Sequence, residues 1–561
     1  MKKINELNFG FPDAENYKRR ENKTFFNDLF IKNEYLEQLC QPQISFLVGD
    51  KGTGKTAYSL YLANNRYKNN IGFSKFIRET DYQKFITLKK KKDLQLSDYT
   101  SIWKVILLLL LSEEVHENEP NLKLLKNFGK FKYLHDVIDE YYASAFSSEI
   151  NQAMQFIEES KYAAELMSKH AKIAGEEKET RTFNENRFQI NLFYIEKKFK
   201  EALSKIKLKN NHILFIDGID IRPDSVPFGD YLECIKGLAN AIWNLNNDFF
   251  PTIKDTKGRL RVVLLVRPDI FESLGLQNLN TKIRSNSVLL DWTAEYRTYE
   301  NSKLYLLINH LLNKQQEKDV NNAWQHYFPY NAPKTEFLNK SDYTSFIEFI
   351  RYSYHRPRDI ISMLDILKEN NIHKPLKNTF EKKDFDNSTF KSKYSNYVLG
   401  EIKDQLLFYY QLEEYELFLK FFEFLNGKIA FDYKEYLILF DKYSKYIDST
   451  SKQKPKFTTS ANEFLQFLYD LNIICYIEYS KDGREKFFHW CFKEKSYSNL
   501  SPKIKEHREY QIFYSLTKAL NLGKEFSDGK NTHELAYSSN QNDFENEQLQ
   551  EQLQALGIKR T

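Results

Sequence analysis

The sequence contains few cysteines and no long apolar segment. Its 561 residues include 4 cysteines, and none of these belongs to a C-x-x-C pair or a histidine cluster, which argues against a disulfide framework or a zinc site. The most apolar run, Val105 to Leu111, is much shorter than the roughly 20 residues that cross a bilayer. We expect it to be the buried centre of a helix that begins near Ser101. No apolar stretch typical of a signal peptide opens the sequence, so we expect a cytoplasmic protein with no membrane partner.

An excess of charge of one sign is also lacking. Lys plus Arg number 82 and Asp plus Glu number 77, which gives a formal net charge of +5. This balance provides no overall attraction to nucleic acid or to an acidic membrane, so such binding would need a local patch. The chain is 41% hydrophobic and 28% charged, the composition of a folded globular protein. Its length predicts about three or four domains.

Three of the 18 glycines fall within one motif. The apolar run Ile44–Val48 predicts a buried strand, and the next eight positions match the pattern G-x-x-x-x-G-K-[ST]. Helical spacing begins at Ala57 and continues to Ala63, so the motif has the strand–loop–helix setting of a phosphate-binding loop. The glycine-rich loop consists of Gly49, Asp50, Lys51, Gly52, Thr53, Gly54, Lys55 and Thr56.

The residue types in this loop suit a triphosphate. Glycines let the backbone approach phosphate oxygens closely, and the N–H groups at the helix start point at the anion. Lys55 is placed to reach the β- and γ-phosphates, and the Thr56 hydroxyl to bind Mg²⁺. Lys51 is predicted to face solvent. The alternative, a chance match in a lysine-rich chain, is disfavoured because strand and helix signals flank the loop.

A second motif predicts an acidic strand. The apolar run Ile213–Ile216 ends in Asp217, which a parallel strand would deliver to the edge of the sheet as a magnesium ligand. Asp220 follows a glycine-bearing turn and is the candidate for orienting or deprotonating the attacking water. Many related ATPases place a carboxylate directly after the magnesium ligand, whereas this chain has Gly218. Either Asp220 serves from three residues on, or hydrolysis is slow; a buried strand with an ordinary turn aspartate is the structural alternative.

Three arginines are candidates for contacting phosphates. Arg267 follows a predicted strand, Arg261–Val266, and is a candidate γ-phosphate sensor, although it could equally pair with Asp269 or Glu272. A fourth strand is predicted over Ser287–Trp292.

Arg356 and Arg358 flank Pro357, which is expected to open a new helix within the helical stretch Ser345–Glu369. Both arginines could close over the nucleotide as a lid, Arg358 the better placed, or could simply form surface ion pairs. Nothing before Gly49 marks a pocket for the base.

These motifs resemble those of the additional-strand P-loop ATPases, particularly the AAA-like and STAND groups, and most closely a bacterial family of standalone P-loop ATPases. The resemblance covers residues 1 to about 370, and its matching segments are Leu7–Gly10, Asp13–Glu15, Gly49–Thr56, Ile216–Asp220, Arg267–Phe271 and Arg356–Asp359. It implies an αβα sandwich with the loop-bearing strand central, ATP with Mg²⁺, and nucleotide-dependent switching, often in oligomers. Several related ATPases act in bacterial defence against phage, which makes that role an expectation here.

The remaining sequence predicts added helices and a C-terminal module. Residues 101–206 have a nearly all-helical pattern, broken at Glu117–Pro120 and Gly175–Thr180, and are interpreted as a helical insertion that either carries a partner surface or covers the sheet. The segment Lys382–Ser395 suggests a boundary. Beyond it, the pattern predicts three helices and a hairpin, which together indicate a winged helix. These elements are helices at 398–425, Tyr433–Tyr446 and Ala461–Leu471, with strands at Ile473–Tyr479 and Glu485–Cys491.

The third of these helices has no Arg or Lys, so we favour partner sensing over DNA recognition for the winged helix. The predicted organisation is an ATPase core in two parts (1–100 and 207–300), the insertion (101–206), a helical lid (301–375), the winged-helix-like region (376–522) and a mobile polar tail (523–561). Three functions remain open: an ATPase switch coupled to a partner effector, a nucleic-acid-handling ATPase, and a nucleotide-binding scaffold with little hydrolysis.

Overall fold

The computed structural model describes residues 1–77, 96–118, 185–223, 226–254, 256–332, 344–374, 376–451 and 454–524. Helices and strands are numbered over this part of the chain. The predicted break at Gly175–Thr180 and the tail beyond Lys524 lie outside the described residues. Within the described ranges, no helix is both long enough and apolar enough to span a bilayer.

A five-stranded parallel sheet lies at the centre of the molecule, with strand order β2-β3-β4-β1-β5. Four of these strands were predicted: β1 before the glycine-rich loop, β3 at the acidic motif, β4 before Arg267 and β5 from Ser287. The strand β2 was not predicted. The strands are β1 (Phe46–Val48), β2 (Asn70–Phe76), β3 (Asn211–Asp217), β4 (Leu260–Val266) and β5 (Ser287–Leu289).

Both faces of this sheet are covered. Successive residues of a strand point to opposite faces, and they enter two separate cores. Phe215 and Val263 belong to one core, whereas their neighbours Leu214 and Val262 belong to the other. The result is a mixed α/β architecture with helices on both sides of the sheet, as expected for an α/β sandwich.

One face carries the helices from the N-terminal part of the chain, and the other carries two helices of the predicted insertion and one helix that follows β3. The first core contains apolar residues of α1 (Arg20–Leu29), α2 (Glu34–Leu39) and α3 (Lys55–Asn64). The second contains those of α4 (Leu96–Asn118), α5 (Glu185–Ser204) and α6 (Phe228–Asn244).

The described ends of the insertion therefore cover the sheet. The run Val105–Leu111 is buried as expected, although its helix begins at Leu96 and not near Ser101, and it continues to Asn118. The Trp103 Nε1 donates to the Cys234 carbonyl on α6 at 3.1 Å. A Cβ on Gly237 would lie 2.5 Å from the Cβ of Tyr99, so this glycine allows the close approach of α4 and α6.

A second group of helices lies after β4 in the chain, and its first two members precede β5. Pro357 opens α12 in its first turn, as predicted, because its missing N–H is one that a helix start leaves unpaired. The helices of this group are α7 (Pro268–Ser273), α8 (Leu279–Asn286), α9 (Lys303–Asn313), α10 (Ala323–Tyr327), α11 (Ser345–Tyr352) and α12 (Pro357–Asn370).

The segment Lys382–Ser395, which the composition marked as a boundary, is helical: it forms α13 (Lys382–Asp386) and the start of α14 (Ser388–Leu407). The single helix predicted over 398–425 is wrong. It divides into α14 and α15 (Leu412–Glu423), with a break where the Arg222 guanidinium donates to backbone carbonyls at the end of α14. These acceptors are the carbonyls of Leu407, Phe408 and Tyr410.

The predicted hairpin is present, in an antiparallel four-stranded sheet of order β6-β9-β7-β8. Its turn contains Gly483 with φ +70°. Of the helices around this sheet, α16 runs four residues beyond the predicted end at Tyr446. The elements are β6 (Ala430–Asp432), α16 (Tyr433–Thr450), α17 (Ala461–Asp470), β7 (Ile474–Tyr479), β8 (Lys486–Trp490), α18 (Cys491–Glu494) and β9 (Glu509–Ile512).

Candidate functional site

The glycine-rich loop connects β1 to α3 in a conformation that requires glycine. Gly52 and Gly54 have φ of +86° and +94°, in the left-handed region that other residues avoid. A Cβ on Gly52 would also lie 2.9 Å from the Cβ of Arg358. Because α3 begins at Lys55, the first N–H groups of this helix have no intrahelical acceptor. The loop and the helix start therefore present backbone donors suited to an anion.

Lys55 is buried beneath the loop, with 8% of its surface exposed. Its Nζ donates to the carbonyls of Gly49, at 2.8 Å, and Asp50, at 3.2 Å. Burial lowers the pKa of Lys55, and the nearby carboxylates of Asp220 and Asp217 only partly oppose this. A bound anion at this position would favour the charged ammonium group.

Thr56 and Asp217 meet at the edge of the sheet. The Thr56 hydroxyl donates to Asp217 Oδ2 at 2.6 Å, and the Gly218 N–H donates to Asp217 Oδ1 at 2.8 Å. Burial raises the pKa of Asp217, and the adjacent Asp220 raises it further. A hydroxyl and a carboxylate held together in this way are oxygen ligands suited to Mg²⁺.

Replacing Asp217 with Asn is expected to stabilise the free protein at pH 7. A raised pKa means that the ionised carboxylate costs folding energy above that pKa, and that this cost disappears as the pH falls below the ordinary aspartate value of 3.8. We expect the melting temperature to rise by about 1–2 °C at pH 7 and to be unchanged at low pH. The exposed Asp248 provides the control, Asp248→Asn. A lower melting temperature for Asp217→Asn at pH 7 would contradict this account of the site.

Arg267 is paired with Asp269, one of the two alternatives left open by the sequence. Its guanidinium forms an ion pair with the Asp269 carboxylate, which also accepts from the Tyr409 hydroxyl at 2.6 Å. Burial acts to lower the Arg267 pKa, but Asp269 overrides it and holds the pKa above its usual range. The side chain also lies over the Phe408 ring and lines the cavity described below. Its proposed role as a sensor stays a prediction.

The two arginines at the start of α12 have different environments. Arg356 forms a buried ion pair with Asp359 at 2.7 Å and donates to the Lys51 carbonyl at 2.9 Å. This hydrogen bond ties the start of α12 to the backbone of the glycine-rich loop. Arg358 lines the cavity, and its Nε donates to the Pro12 carbonyl at 3.0 Å. Of the two predicted lid residues, Arg358 is therefore the one that lines the cavity.

Lys51, which was predicted to face solvent, keeps 29% of its side chain exposed but is also held by ion pairs. Its Nζ lies 3.4 Å from Glu401 Oε1 and also pairs with Asp404, both on α14. The neighbouring loop residue Asp50 accepts from Lys495 Nζ at 2.8 Å. The C-terminal half of the chain thus holds two side chains of the glycine-rich loop, a contact that the local sequence around the loop does not indicate.

A cavity of about 870 Å³ opens beside the loop, within the size range of small-molecule sites. Its charged half contains Lys55, Thr56, Asp217 and Asp220, which the sequence predicted as one site. Its apolar half contains residues that the sequence analysis missed, in particular the N-terminal aromatic side chains. The main apolar lining residues are Phe9, Phe11, Tyr17, Phe26, Leu29, Phe30, Leu306, Leu307, Leu311 and Ile361.

The sequence before Gly49 carries no motif that marks a pocket for the base, yet this segment supplies much of the apolar lining of the cavity. Three aromatic residues of the N-terminal segment, Phe9, Phe11 and Tyr17, line the cavity, and clefts with aromatic linings are typical of small-molecule sites. In the described ranges, no group of three or more His, Cys, Asp or Glu side chains could enclose a metal ion. A cation at Thr56 and Asp217 would therefore complete its shell with phosphate oxygens and water, as Mg²⁺ commonly does.

Comparisons with family models, curated proteins and solved structures yield no match. The function is therefore inferred from the geometry of the cavity and from the motifs that line it.

Proposed function

We propose that the chain is a P-loop ATPase that binds and hydrolyses ATP with Mg²⁺ in the cavity beside the glycine-rich loop. The observation that carries this proposal is the convergence of Lys55 with the hydrogen-bonded pair of Thr56 and Asp217. The lysine and the threonine come from the loop, whereas Asp217 comes from a strand more than a hundred residues later. In the sheet, β4 separates this strand from β1, as expected of the additional-strand group.

Each side chain has a distinct role in this proposal. Lys55 and the loop N–H groups bind the β- and γ-phosphates, while Thr56 and Asp217 hold the metal. Mg²⁺ supplies charge neutralisation across the phosphates when bound. Asp220 orients or deprotonates the attacking water. Arg267 lies in the same lining and would contact the γ-phosphate if its guanidinium kept one donor directed into the cavity.

The apolar half of the cavity suits a nucleobase, and ATP is proposed from the family resemblance. One sequence feature favours testing GTP as well. Asn339-Lys340-Ser341-Asp342 matches the N-K-x-D pattern that recognises guanine in many GTPases, and it lies outside the described residues. Base choice is therefore an outcome of the binding experiment.

Trp292 offers a direct test of binding, because it lines the cavity and its Nε1 donates to the Thr53 carbonyl at 2.9 Å. We expect ATP with Mg²⁺ to change the tryptophan fluorescence saturably, with weaker responses to GTP and to inorganic tripolyphosphate. Trp292→Phe should abolish the signal without abolishing binding measured by calorimetry. An equal response to ATP and to tripolyphosphate would show that the cavity does not recognise the nucleobase. No ATP binding in either assay would refute the proposed ATPase function.

We further propose that hydrolysis drives a switch, in a homo-oligomer or with a protein effector, in bacterial antiviral defence as the resemblance implies. The nucleic-acid alternative receives little support from the C-terminal module. The helix α17 contains no Arg or Lys, and its Gln466 exchanges hydrogen bonds with the backbone at Pro502 and Ile504. Stimulation of hydrolysis by DNA or RNA, with steep salt dependence, would favour that alternative. Tight binding without turnover would favour the scaffold.

A further inference from the structure

The helix α14 and the three residues after it contact three segments that contribute to the cavity lining. Near its C-terminal end, Glu401 and Asp404 pair with Lys51 of the glycine-rich loop. At its end, backbone carbonyls accept from Arg222, which follows Asp220 by two residues. Just beyond it, Tyr409 binds the Asp269 carboxylate that holds Arg267. A change at the phosphate site would therefore reach this one helix by three routes.

Glu401 lines the cavity together with three other residues of α14, Tyr397, Asp404 and Leu407. The Glu401 side chain is 12% exposed. Its Oε1 lies 3.4 Å from Lys51 Nζ and 3.6 Å from Arg358 Nη1, and its Oε2 lies 3.8 Å from Arg356 Nη1. In the part of the chain that the structure describes, this Oε2 is buried with no hydrogen-bond partner. One carboxylate thus lies near three cations, at distances of 3.4 to 3.8 Å that are longer than those of strong charged hydrogen bonds.

This environment keeps Glu401 negatively charged. Burial acts to raise its pKa, but Arg356, Lys51 and Arg358 outweigh burial and lower the pKa below its usual range. Arg358 lines the same cavity as Lys55 and Thr56. A triphosphate in the cavity would attract this arginine and repel the Glu401 carboxylate, because like charges a few ångströms apart in a poorly solvated site repel strongly.

We propose that Glu401 is an internal anion that competes with the nucleotide phosphates for Arg358, so that triphosphate binding displaces Glu401 and loosens α14 from the glycine-rich loop. This inference rests on the proposed function, since it requires a triphosphate in the cavity.

The displacement would extend to the C-terminal module. The helix α14 packs against α12 and α15 and against the turn Tyr514–Leu516. The second link from the loop to this module is the Asp50–Lys495 ion pair, which is largely buried. Loss of the Glu401 contacts would leave the Lys51–Asp404 and Asp50–Lys495 ion pairs to join the loop to this module. The coupling between nucleotide and C-terminal module is thereby electrostatic and reciprocal.

The direct test compares ATP affinity in wild type, Glu401→Gln and the matched control Glu413→Gln, an exposed glutamate on α15 that does not line the cavity. We expect Glu401→Gln to bind ATP with Mg²⁺ about tenfold more tightly than wild type, the scale of removing one like charge from a phosphate site. Glu413→Gln should bind as wild type does. Wild-type or weaker affinity in Glu401→Gln, with normal binding in wild type, would overturn this inference alone. No binding in wild type would refute the proposed function itself.

Hydrogen–deuterium exchange gives a second measurement that needs no variant. In wild type, ATP with Mg²⁺ should increase amide exchange several-fold over residues 398–407, where α14 faces the loop. In Glu401→Gln, exchange there should be raised before nucleotide is added. Unchanged or slower exchange in this segment when wild type is saturated with ATP would overturn the inference even if the variant failed to fold.

Discussion

Replacing Lys55 with Met is expected to weaken binding of ATP with Mg²⁺ by at least about 100-fold, the scale of losing a buried charge that pairs with an anion. Among the residues that the structure describes, the Lys55 ammonium group donates to the backbone carbonyls of Gly49 and Asp50 under the glycine-rich loop. A phosphate would provide the strong acceptors that this buried cation lacks. Calorimetric titration with ATP measures the effect directly.

The same substitution should leave the free protein folded. Burial lowers the pKa of Lys55, so the charged side chain is held in the free protein at a cost. Methionine fills a similar volume without that cost, and the melting temperature should stay the same or rise. Lys445→Met, at an exposed position on α16, is the matched control and should change neither binding nor stability. Wild-type affinity in a folded Lys55→Met protein would show that ATP does not use the glycine-rich loop.

The second large effect is expected for Asp220→Asn, which should reduce turnover by about 10²–10⁴-fold, the range contributed by a general base. Asp220 lines the charged half of the cavity, and its charge acts on both Lys55 and Asp217. Asparagine keeps the shape but cannot accept the proton from water. ATP affinity should be retained or slightly increased, because the substitution removes a negative charge near the phosphates.

Asp248→Asn is the matched control for this variant, since it removes one exposed aspartate charge far from the loop in sequence. Phosphate release at saturating ATP separates the two outcomes. Unchanged turnover in Asp220→Asn would mean that another group activates the water. In that case Asp220 would not replace the carboxylate that many related ATPases have at the position of Gly218, and the general base would be a different residue.

The sequence predicted the central parts of the fold because their signals are local. The strand before the glycine-rich loop, the strand ending in Asp217 and the helix opening at Pro357 each have a short pattern with a direct physical cause. The strand β2 escaped notice because Gly72 interrupts its apolar residues. That glycine lies where a Cβ would be 2.9 Å from the Cβ of Leu62, so its role is a helix–strand contact that only the fold reveals.

Long-range partners account for most of what the sequence did not predict in the site. The position of Lys51 depends on Glu401, and the apolar half of the cavity combines N-terminal aromatic residues with α9 and α12. By contrast, the ion pairs of Arg267 and Arg356 could have been predicted from the local sequence. Each has an aspartate two or three residues later, and each is paired with it. Arg358 has no aspartate two or three residues later in the sequence, which distinguishes it from the other two arginines.

Phosphate release by the purified wild-type chain, measured with ATP in the presence and absence of Mg²⁺ alongside Lys55→Met and Asp220→Asn, tests the central claim most directly. The account predicts turnover that requires Mg²⁺ and is lost in both variants, with ATP binding lost only in Lys55→Met. Turnover that persists in folded Lys55→Met, or wild-type protein that neither binds nor hydrolyses ATP, would contradict it.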